Sequence, residues 1–328
     1  MENITENFLR DQLLDRRQRL ESVIAGSQEH AQLSQLLNEV DSALERITDG
    51  TYGICEVCHD PVEKERLIAD PLVRYCLDHL TPEGRRALEQ DLELASQMQS
   101  ALLPRQDLHH DGWEINYHYA PHGPVSGDYC DLIFREEDSG NFFFALGDAA
   151  GKGVAASILM THLHAIFRTL TASRLPVHQM VARASRIFRE TTMSTHFATL
   201  VCGKATSFGH VEITNAGHCP PLLLHDRKVT KLEKSGLPVG LFWEGEYSPQ
   251  NLTLGSGDCL LLYTDGLSET RSPGNEEYGE DRLARSLERF HALSPREIIH
   301  ACLKDLSEFR SGAPILDDLT LMVIRRAS

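Results

Sequence analysis

Four potential metal ligands within about 25 residues constrain the fold of this chain more than any other local feature. Cys55 and Cys58 are separated by two residues, and after a spacer of 17 residues Cys76 and His79 repeat that spacing. Two such pairs can close a tetrahedron of thiolates and imidazole around one Zn²⁺ ion. A site with four protein ligands has no open position, so one structural Zn²⁺ is expected, holding together a segment too small for its own core. His59 is a rival ligand, although its position fits less well.

Two amphipathic helices are predicted before this cluster. Apolar residues recur at helical spacing in residues 5–25 and again in 28–48, and Gly26-Ser27 between them marks a turn. The simplest arrangement is a helical hairpin. Its apolar seams pack either on each other or on another subunit.

A third helix is predicted from Thr81-Pro82 to Leu103, where Pro104 ends it. Its apolar seam advances in steps of four and three residues and includes one polar residue, Gln99. Such a seam is typical of a connector packed on its neighbour, or of a short coiled coil that forms a dimer and transmits a signal. The pattern leaves both interpretations open.

From Trp113 onwards the periodicity changes to that of β-strands. We predict strands at 113–119, 130–134, 141–147, 197–205, 210–216, 221–225, 258–264 and 319–325, and helices at 152–170, 177–193, 280–290 and 295–310. Most neighbouring strands have no helix between them, which favours antiparallel sheets with helices outside over a parallel sheet. The predicted fold class is therefore α+β.

The first third of the chain resembles the DksA/TraR zinc-finger family over about residues 36–80. The resemblance rests on the runs LERITDGTYGICEVC (44–58), ERL (65–67) and YC (75–76). It implies that the Cys/His cluster binds zinc, with His79 standing where the family often has Cys. It also raises an alternative function, a non-enzymatic transcription regulator that binds RNA polymerase. The predicted hairpin tip, residues 25–28, lacks the acidic residues of the polymerase-binding members, which argues against that alternative.

Four acidic positions in the second part of the chain adjoin glycine or the end of an apolar strand. They are Asp128 in SGDYCD, Asp148 in FFFALGDAAGKG, Asp265 in CLLLYTDG and the pair Asp317-Asp318 in LDDLT. Converging strand ends would hold several carboxylates rigidly as hard oxygen ligands for Mg²⁺ or Mn²⁺. Any one of them alone is more typical of a turn aspartate. The four together favour a metal site.

The order of these motifs resembles the SpoIIE/RsbU-like branch of the type 2C metal-dependent protein phosphatases over about residues 90–326. The matching runs are VSGDYCD (125–131), GDAAGKG (147–153), FATL (197–200), NAGH (215–218), LPVG (237–240), GD (257–258), YTDG (263–266) and DDLT (317–320), with the helix LASQMQSALLP (94–104) before them. The resemblance implies a four-layer α-β-β-α sandwich with metal ions at one end of the two sheets. It also implies hydrolysis of phosphoserine or phosphothreonine on a small protein, usually a phosphorylated anti-sigma factor antagonist.

The same resemblance implies two Mn²⁺ or Mg²⁺ ions and assigns their ligands. These are the carboxylates of Asp128, Asp148, Asp265 and Asp317 and the carbonyl of Ala149, with Asp131 and Asp318 as secondary candidates. A pair of divalent ions activates water for attack on phosphorus and neutralises the oxygens of the transition state. Strict dependence on metal is therefore expected.

Two further residues are candidates for contact with the substrate. Lys152 stands where this branch commonly has His, and it either contacts the phosphate or is a solvated residue at a helix start. Ala150 occupies the position where eukaryotic relatives carry a histidine acid, so the leaving group needs another proton source. His218 is one candidate, although a turn residue after a strand is its more ordinary role.

The formal net charge of the 328-residue chain is −16, and residues 1–103 hold 10 basic against 20 acidic side chains. Binding to nucleic acid or anionic lipid needs clustered Lys and Arg, so neither partner is expected. No apolar run reaches the ~20 residues of a membrane span, and the N-terminus has no signal-peptide pattern. A cytoplasmic protein is expected, with its eight cysteines metal-bound or free.

The predicted organisation has three parts. Residues 1–80 form a helical hairpin with a zinc finger, residues 81–104 a coiled-coil-like linker, and residues 105–328 a SpoIIE-type phosphatase domain. We expect a metal-dependent serine/threonine phosphoprotein phosphatase regulated by the zinc module. A homodimer is expected through residues 5–48, 82–103 or both, and the zinc module either senses a signal or only promotes that dimer.

Overall fold

The structure is a computed structural model that describes residues 9–10, 12–14, 16–18, 20–21, 31–80, 82–135, 140–173, 175–193, 195–242 and 245–327. The chain divides into two compact units, Met1–Asp91 and Leu92–Ser328. None of the described helices is both long and apolar enough to cross a membrane.

The first unit begins with two helical segments. The described residues between 9 and 21 are helical, whereas the predicted turn at Gly26-Ser27 lies outside the described residues. Helix α1 spans Ala31–Thr48. Leu13 is buried against Val40 of α1. Because both are apolar positions of the predicted seams, the described parts of the two seams pack on each other.

A compact segment follows α1. Gly50 lies just beyond the helix end with φ +69°, a conformation that glycine adopts without strain at this position. The segment contains helix α2, Lys64–Ala69, and a 3₁₀ turn, Leu77–His79. Its small core consists of Leu9, Cys55, Val62, Leu67 and Cys76. With so few buried side chains, a metal ion bound to the cysteines would be a substantial part of its stability.

Helix α3 spans Pro82–Leu102, in agreement with the prediction from sequence. Proline suits the first position of a helix because its missing N–H has no partner there. Within the predicted seam, Leu88 is 40% exposed, whereas the polar Gln99 is buried. The polar position is therefore the one that the fold covers.

The second unit is built on two antiparallel sheets. The strands are β1 Leu108–His110, β2 Trp113–Ala120, β3 Asp128–Phe134, β4 Phe142–Ala149, β5 Ala198–Ala205, β6 His210–Ala216, β7 Leu222–His225, β8 Lys228–Lys231, β9 Gln250–Thr253, β10 Cys259–Tyr263 and β11 Leu319–Arg326. One sheet has the order β1-β2-β11-β10-β7-β8, and the other has the order β3-β4-β5-β6-β9.

Helices cover the outer face of each sheet. They are α4 Gly153–Leu170, α5 Val177–Thr191, α6 Asp265–Ser268, α7 Glu280–Arg289 and α8 Pro295–Arg310. One core lies between the five-stranded sheet and α4 with α5, a second between the two sheets, and a third between the six-stranded sheet and α7 with α8. This layering confirms the predicted α+β fold, a four-layer α-β-β-α sandwich.

The elements that the sequence did not predict are short. Strands β1, β8 and β9 have three or four residues each, and α6 has four. Strands β1, β8 and β9 lie at sheet edges. Edge strands carry half-exposed, mixed side chains, so they lack the apolar run or clear alternation that identifies a central strand.

Candidate active site

The antiparallel pairing of β3 and β4 brings two of the predicted aspartates together. Asp128, the first residue of β3, lies directly opposite Asp148, near the end of β4. The next residue, Ala149, donates its backbone N–H to the carbonyl of Gly127 at 3.1 Å. A β-carbon on Gly127 would lie 3.0 Å from the Ala156 Cβ and 3.3 Å from a carboxylate oxygen of Asp148. Glycine therefore permits this close approach.

The other two aspartates flank a pair of strands in the second sheet. Asp265 follows β10, and Asp317 precedes β11, which pairs with β10. A β-carbon on Gly266 would lie 1.9 Å from the carbonyl oxygen of Asp318 and 3.4 Å from the Cβ of Asp317. Only glycine at position 266 allows these two segments to lie so close together.

Asp128 joins the two sheets at this end of the sandwich. Its Oδ2 atom accepts hydrogen bonds from the hydroxyl groups of Thr264 and Thr320, the former at 3.1 Å. Thr264 also donates its backbone N–H to the carbonyl of Thr320 at 3.0 Å. Burial, followed by repulsion from Asp148, raises the pKa of Asp128 well above its ordinary value. Asp128 is therefore rigidly placed in a negatively charged surrounding.

The carboxylates of the two sheets influence one another strongly. Burial, then the charges of Asp265, Asp317 and Asp318, raise the pKa of Asp148 to about 7. Burial and then Asp317 raise the pKa of Asp265. Among the described residues, Lys152 is the cation that contacts this set, and its Nζ atom lies 2.7 Å from Oδ2 of Asp317 and 3.0 Å from the Leu316 carbonyl. The site thus contains several carboxylate oxygen donors, and the single positive charge of Lys152 does not balance the negative charge of these aspartates.

The spacing of these carboxylates differs from that of the cysteine cluster. Among the described residues, the Cys/His cluster is the one group of at least three His, Cys, Asp or Glu residues whose ligand atoms all lie within 4.8 Å of one another. No three of the described aspartates meet this criterion together. Mg²⁺ commonly uses only one or two carboxylates and retains several water molecules, so the wider spacing fits a hydrated divalent ion.

The Cys/His cluster is compact and consists of the four residues that the spacing selected. They are Cys55, Cys58, Cys76 and His79. The sulfur atoms of Cys58 and Cys76 are 3.7 Å apart, and the Cys76 sulfur lies 3.2 Å from Nδ1 of His79. The rival His59 is exposed, with φ +63°, and is outside this group. The arrangement suits tetrahedral Zn²⁺.

Comparison with known families identifies the second unit. The sequence model of the family described as Stage II sporulation protein E (SpoIIE) matches residues 138–327, more than half of the chain. The chain belongs to the SpoIIE family. A second family, the prokaryotic dksA/traR C4-type zinc finger, matches residues 50–78 of this SpoIIE-family chain. That match ends just before His79, the residue that stands in place of a fourth cysteine.

Individual relatives agree with this family assignment. Protein IcfG of Synechocystis sp. (strain ATCC 27184 / PCC 6803 / Kazusa) is 27% identical over 266 residues, which cover 72% of this chain and 41% of IcfG. Phosphoserine phosphatase RsbU of Bacillus subtilis (strain 168) is 25% identical over 256 residues, 76% of this chain and 74% of RsbU. The chain therefore spans about two fifths of IcfG. The SiaA-PP2C domain of Pseudomonas aeruginosa superposes with a TM-score of 0.65 at 18% identity, covering 75% of this chain and 99% of that domain. This similarity confirms the PP2C-type fold.

Asp131, a secondary candidate for metal binding, lies away from the other aspartates of the SpoIIE domain. Successive side chains of a strand alternate between its faces, so Asp131 and Asp128 point to opposite sides of β3. The Asp131 carboxylate is fully buried and accepts two hydrogen bonds from Arg168 of α4, at 2.9 and 2.6 Å. Tyr129 donates a further one at 3.3 Å. The structure thus corrects the expectation: Asp131 is part of a buried ion pair.

His218 has the more ordinary of its two expected roles, that of a turn residue after a strand. Its side chain is 2% exposed, and Nδ1 lies 2.8 Å from the hydroxyl of Thr199. The Asn215 side chain accepts a hydrogen bond from the backbone N–H of His218 at 2.8 Å and donates one to the His218 carbonyl at 3.2 Å. Burial lowers the pKa of His218 to about 3. The ring is therefore neutral at physiological pH and covered by protein, which argues against contact with a protein substrate or proton donation.

The structure also reveals site residues that the sequence did not single out for this role. Gln99 of α3 donates to the Ser126 carbonyl at 2.7 Å and accepts from the Ser126 N–H at 2.9 Å. Because Ser126 is two residues before Asp128, α3 is hydrogen-bonded to the loop that carries a predicted metal ligand. The signal in the sequence was a polar residue within an apolar seam. Thr264 and Thr320 gave a weaker signal, as hydroxyl residues at the ends of apolar strands.

Proposed function

We propose that this chain is a Mn²⁺- or Mg²⁺-dependent phosphoprotein phosphatase that acts on phosphoserine or phosphothreonine. The observation that carries the proposal is the meeting of aspartates from both sheets at one end of the sandwich, with pKa values raised by burial and then by their mutual repulsion. A divalent cation removes that repulsion, and the donors are the hard oxygens that Mg²⁺ and Mn²⁺ prefer. We assign two ions to Asp128, Asp148, Asp265, Asp317 and the Ala149 carbonyl.

Bound divalent ions would supply an activated water molecule and neutralise charge on the phosphoryl oxygens. The chain's own residues orient this site. Thr264 and Thr320 hold the Asp128 carboxylate in one rotamer by hydrogen bonds to its Oδ2 atom. Lys152 is 64% exposed in its side chain and lies at the start of α4, where no side chain caps the helix. Its ammonium group and the backbone N–H groups of that first turn are suited to bind a phosphate oxygen.

The substrate is proposed to be a phosphorylated anti-sigma factor antagonist. RsbU, which aligns with three quarters of this chain, is named a phosphoserine phosphatase. The exposed position of Lys152 and Asp317 favours a substrate presented on the surface of another protein. We place this activity in the cytoplasm, within a partner-switching pathway.

The zinc module is proposed to bind one structural Zn²⁺ and to regulate the phosphatase domain. Cys55, Cys58, Cys76 and His79 would bind the ion, since their ligand atoms are already clustered. We propose the functional boundaries 1–80, 81–104 and 105–328, with a homodimer formed through residues 5–48, 82–103 or both. Sedimentation of the full chain with and without a zinc chelator tests whether the zinc module maintains that dimer.

Phosphate release from a defined phosphoprotein tests the enzymatic proposal. The full chain is incubated with phosphoserine-bearing anti-sigma factor antagonists in Mn²⁺, in Mg²⁺ and in excess EDTA. Asp265→Asn removes a proposed ligand, and Asp226→Asn is the matched control because that side chain is 87% exposed on a surface turn. We expect metal-dependent release by the unmodified chain and Asp226→Asn, and at least 100-fold slower release by Asp265→Asn. Equal rates for Asp265→Asn and the unmodified chain would refute the proposal.

The alternative, a non-enzymatic regulator that binds RNA polymerase, is less favoured. The family match to SpoIIE covers residues 138–327, which include Asp148, Asp265 and Asp317. A binding measurement between the full chain and purified RNA polymerase separates the two proposals. A stable complex together with no phosphatase activity would support the alternative.

A further inference from the structure

Two adjacent aspartates, Asp317 and Asp318, have different surroundings in the structure. The Asp317 carboxylate faces Lys152 and the other aspartates. The Asp318 carboxylate instead accepts two backbone hydrogen bonds, from the His122 N–H to Oδ1 at 2.7 Å and from the Gly127 N–H to Oδ2 at 2.8 Å. Each carboxylate oxygen of Asp318 thus has its own amide donor.

These two amides belong to the segment between β2 and β3. The segment from 121 to 127 has no strand pairing of its own, so its polar groups depend on side chains for hydrogen bonds. Asp318 binds its two ends, and Asp128 follows directly. Hydrogen bonds from backbone N–H groups to an ionised carboxylate are about twice as strong as neutral ones.

The backbone of Gly127 links Asp318 to the other sheet. Its N–H is bound to Asp318, and its carbonyl accepts the N–H of Ala149 at 3.1 Å. Ala149 supplies the carbonyl proposed as a metal ligand. One carboxylate on the β11 side is therefore connected, through the single residue Gly127, to the proposed ligands Asp128 and Ala149.

We propose that Asp318 is a positioning residue that clamps the segment 121–127 and thereby places Asp128 and Ala149 for metal binding. This inference rests on the proposed function and gives the two adjacent aspartates separate tasks. Asp317 binds metal directly, whereas Asp318 acts through the backbone of Gly127. The assignment of Asp318 as a metal ligand, expected as a secondary possibility from sequence, is replaced by this role.

Hydrogen exchange in the metal-free protein tests the clamp without any measurement of activity. In Asp318→Asn the amide side chain retains one acceptor oxygen and places a donor NH₂ group where the second acceptor was. We expect the backbone amide of His122 or Gly127 to exchange at least tenfold faster than in the unmodified chain. Asp317→Asn is the matched control and should leave both amides unchanged. Exchange at the core strand residue Leu262 reports global unfolding and should be unaffected in both variants.

The dependence of activity on Mn²⁺ gives the second readout. In Asp318→Asn the proposed metal ligands are displaced but all present. This variant should therefore need roughly tenfold more Mn²⁺ for half-maximal activity than the unmodified chain, and excess Mn²⁺ should restore its kcat. Asp317→Asn loses a ligand, so its kcat should stay low at every Mn²⁺ concentration. Because Mn²⁺ bound to the folded state also stabilises it, unchanged exchange at Leu262 is the control that separates the clamp from a loss of global stability.

Two results would overturn the clamp. One is unchanged exchange at both His122 and Gly127 in Asp318→Asn. The other is an activity defect in Asp318→Asn that excess Mn²⁺ does not relieve, which would make Asp318 a ligand like Asp317. If the unmodified chain shows no metal-dependent hydrolysis, the proposed function fails, and the exchange experiment still decides whether Asp318 holds the segment.

Discussion

Removal of Arg168 should destabilise the second unit far more than removal of an ordinary surface arginine. The Asp131 carboxylate is completely buried and depends on Arg168 for two hydrogen bonds at 2.9 and 2.6 Å. In Arg168→Ala this carboxylate loses its ion-pair partner while remaining inside the protein. Breaking a buried ion pair from one side typically costs about 3–5 kcal/mol.

The expected cost here is somewhat smaller because the Arg168 side chain is 42% exposed, which lets water screen the pair. We therefore expect a loss of about 2–3 kcal/mol in the free energy of unfolding. For a unit of this size, that corresponds to a decrease in Tm of roughly 4–12 °C. Calorimetry of the full chain in EDTA measures it without contributions from divalent metal at the aspartate site.

Arg186→Ala is the matched control. Arg186 lies on the neighbouring helix α5 and forms an i,i+4 pair with Glu190, but the two side chains are 74% and 51% exposed. Its removal should cost less than about 0.5 kcal/mol. Similar Tm values for Arg168→Ala and Arg186→Ala would refute the reasoning. In addition, Asp131→Asn should leave the Mn²⁺ requirement unchanged, and a raised requirement would restore Asp131 as a metal-ligand candidate.

Three further predictions concern other parts of the chain. Cys76→Ser should abolish the one tightly bound zinc per chain, measured by native mass spectrometry, because four ligands close the site; full zinc retention would contradict the assignment. Gln99→Glu cannot donate to the Ser126 carbonyl, so it should cost about 1–3 kcal/mol in chemical denaturation, whereas Gln97→Glu on the exposed face should be nearly neutral. Burial lowers the pKa of His218 to about 3, whereas its pKa in the unfolded chain is near 6.5. Between pH 3 and pH 6.5 the unfolded state therefore binds more protons than the folded state, and the free energy of unfolding decreases as the pH drops below about 6.5. Between pH 7 and 5 the unmodified chain should lose about 2 kcal/mol more than His218→Gln in urea denaturation, and identical pH slopes would show that the ring is not buried in the neutral form.

The local patterns of the sequence were sufficient to predict which residues form the Cys/His cluster of the zinc module. Two pairs of ligands at two-residue spacing specify which side chains can reach one ion, since each pair is a short turn that places both ligand atoms on one side. The structure groups these four residues and leaves His59 outside. Strand and helix periodicities favoured antiparallel sheets with helices outside, and the resemblance of the ordered motifs to the type 2C phosphatases implied the α-β-β-α sandwich.

The tertiary structure alone distinguished between neighbouring aspartates of the same type. Asp128 and Asp131 lie in one strand, and the pleat directs them to opposite faces, one toward the other sheet and one toward Arg168. Asp317 and Asp318 are adjacent, yet only Asp318 meets the amides of His122 and Gly127. The two hydrogen bonds of Asp318 join residues 196 and 191 positions apart, so no local sequence pattern predicts them.

The sequence by itself therefore determined the inventory of the protein: a cysteine-based metal module, a connecting helix and a sandwich with acidic strand ends. The tertiary structure decided which of those acidic groups meet. It also paired Asp131 with Arg168, placed Asp318 against the backbone of the segment 121–127, and buried His218. The physical reason is that ligand spacing and periodicity are properties of a short segment. Burial, strand register and charge repulsion arise only when distant segments pack together.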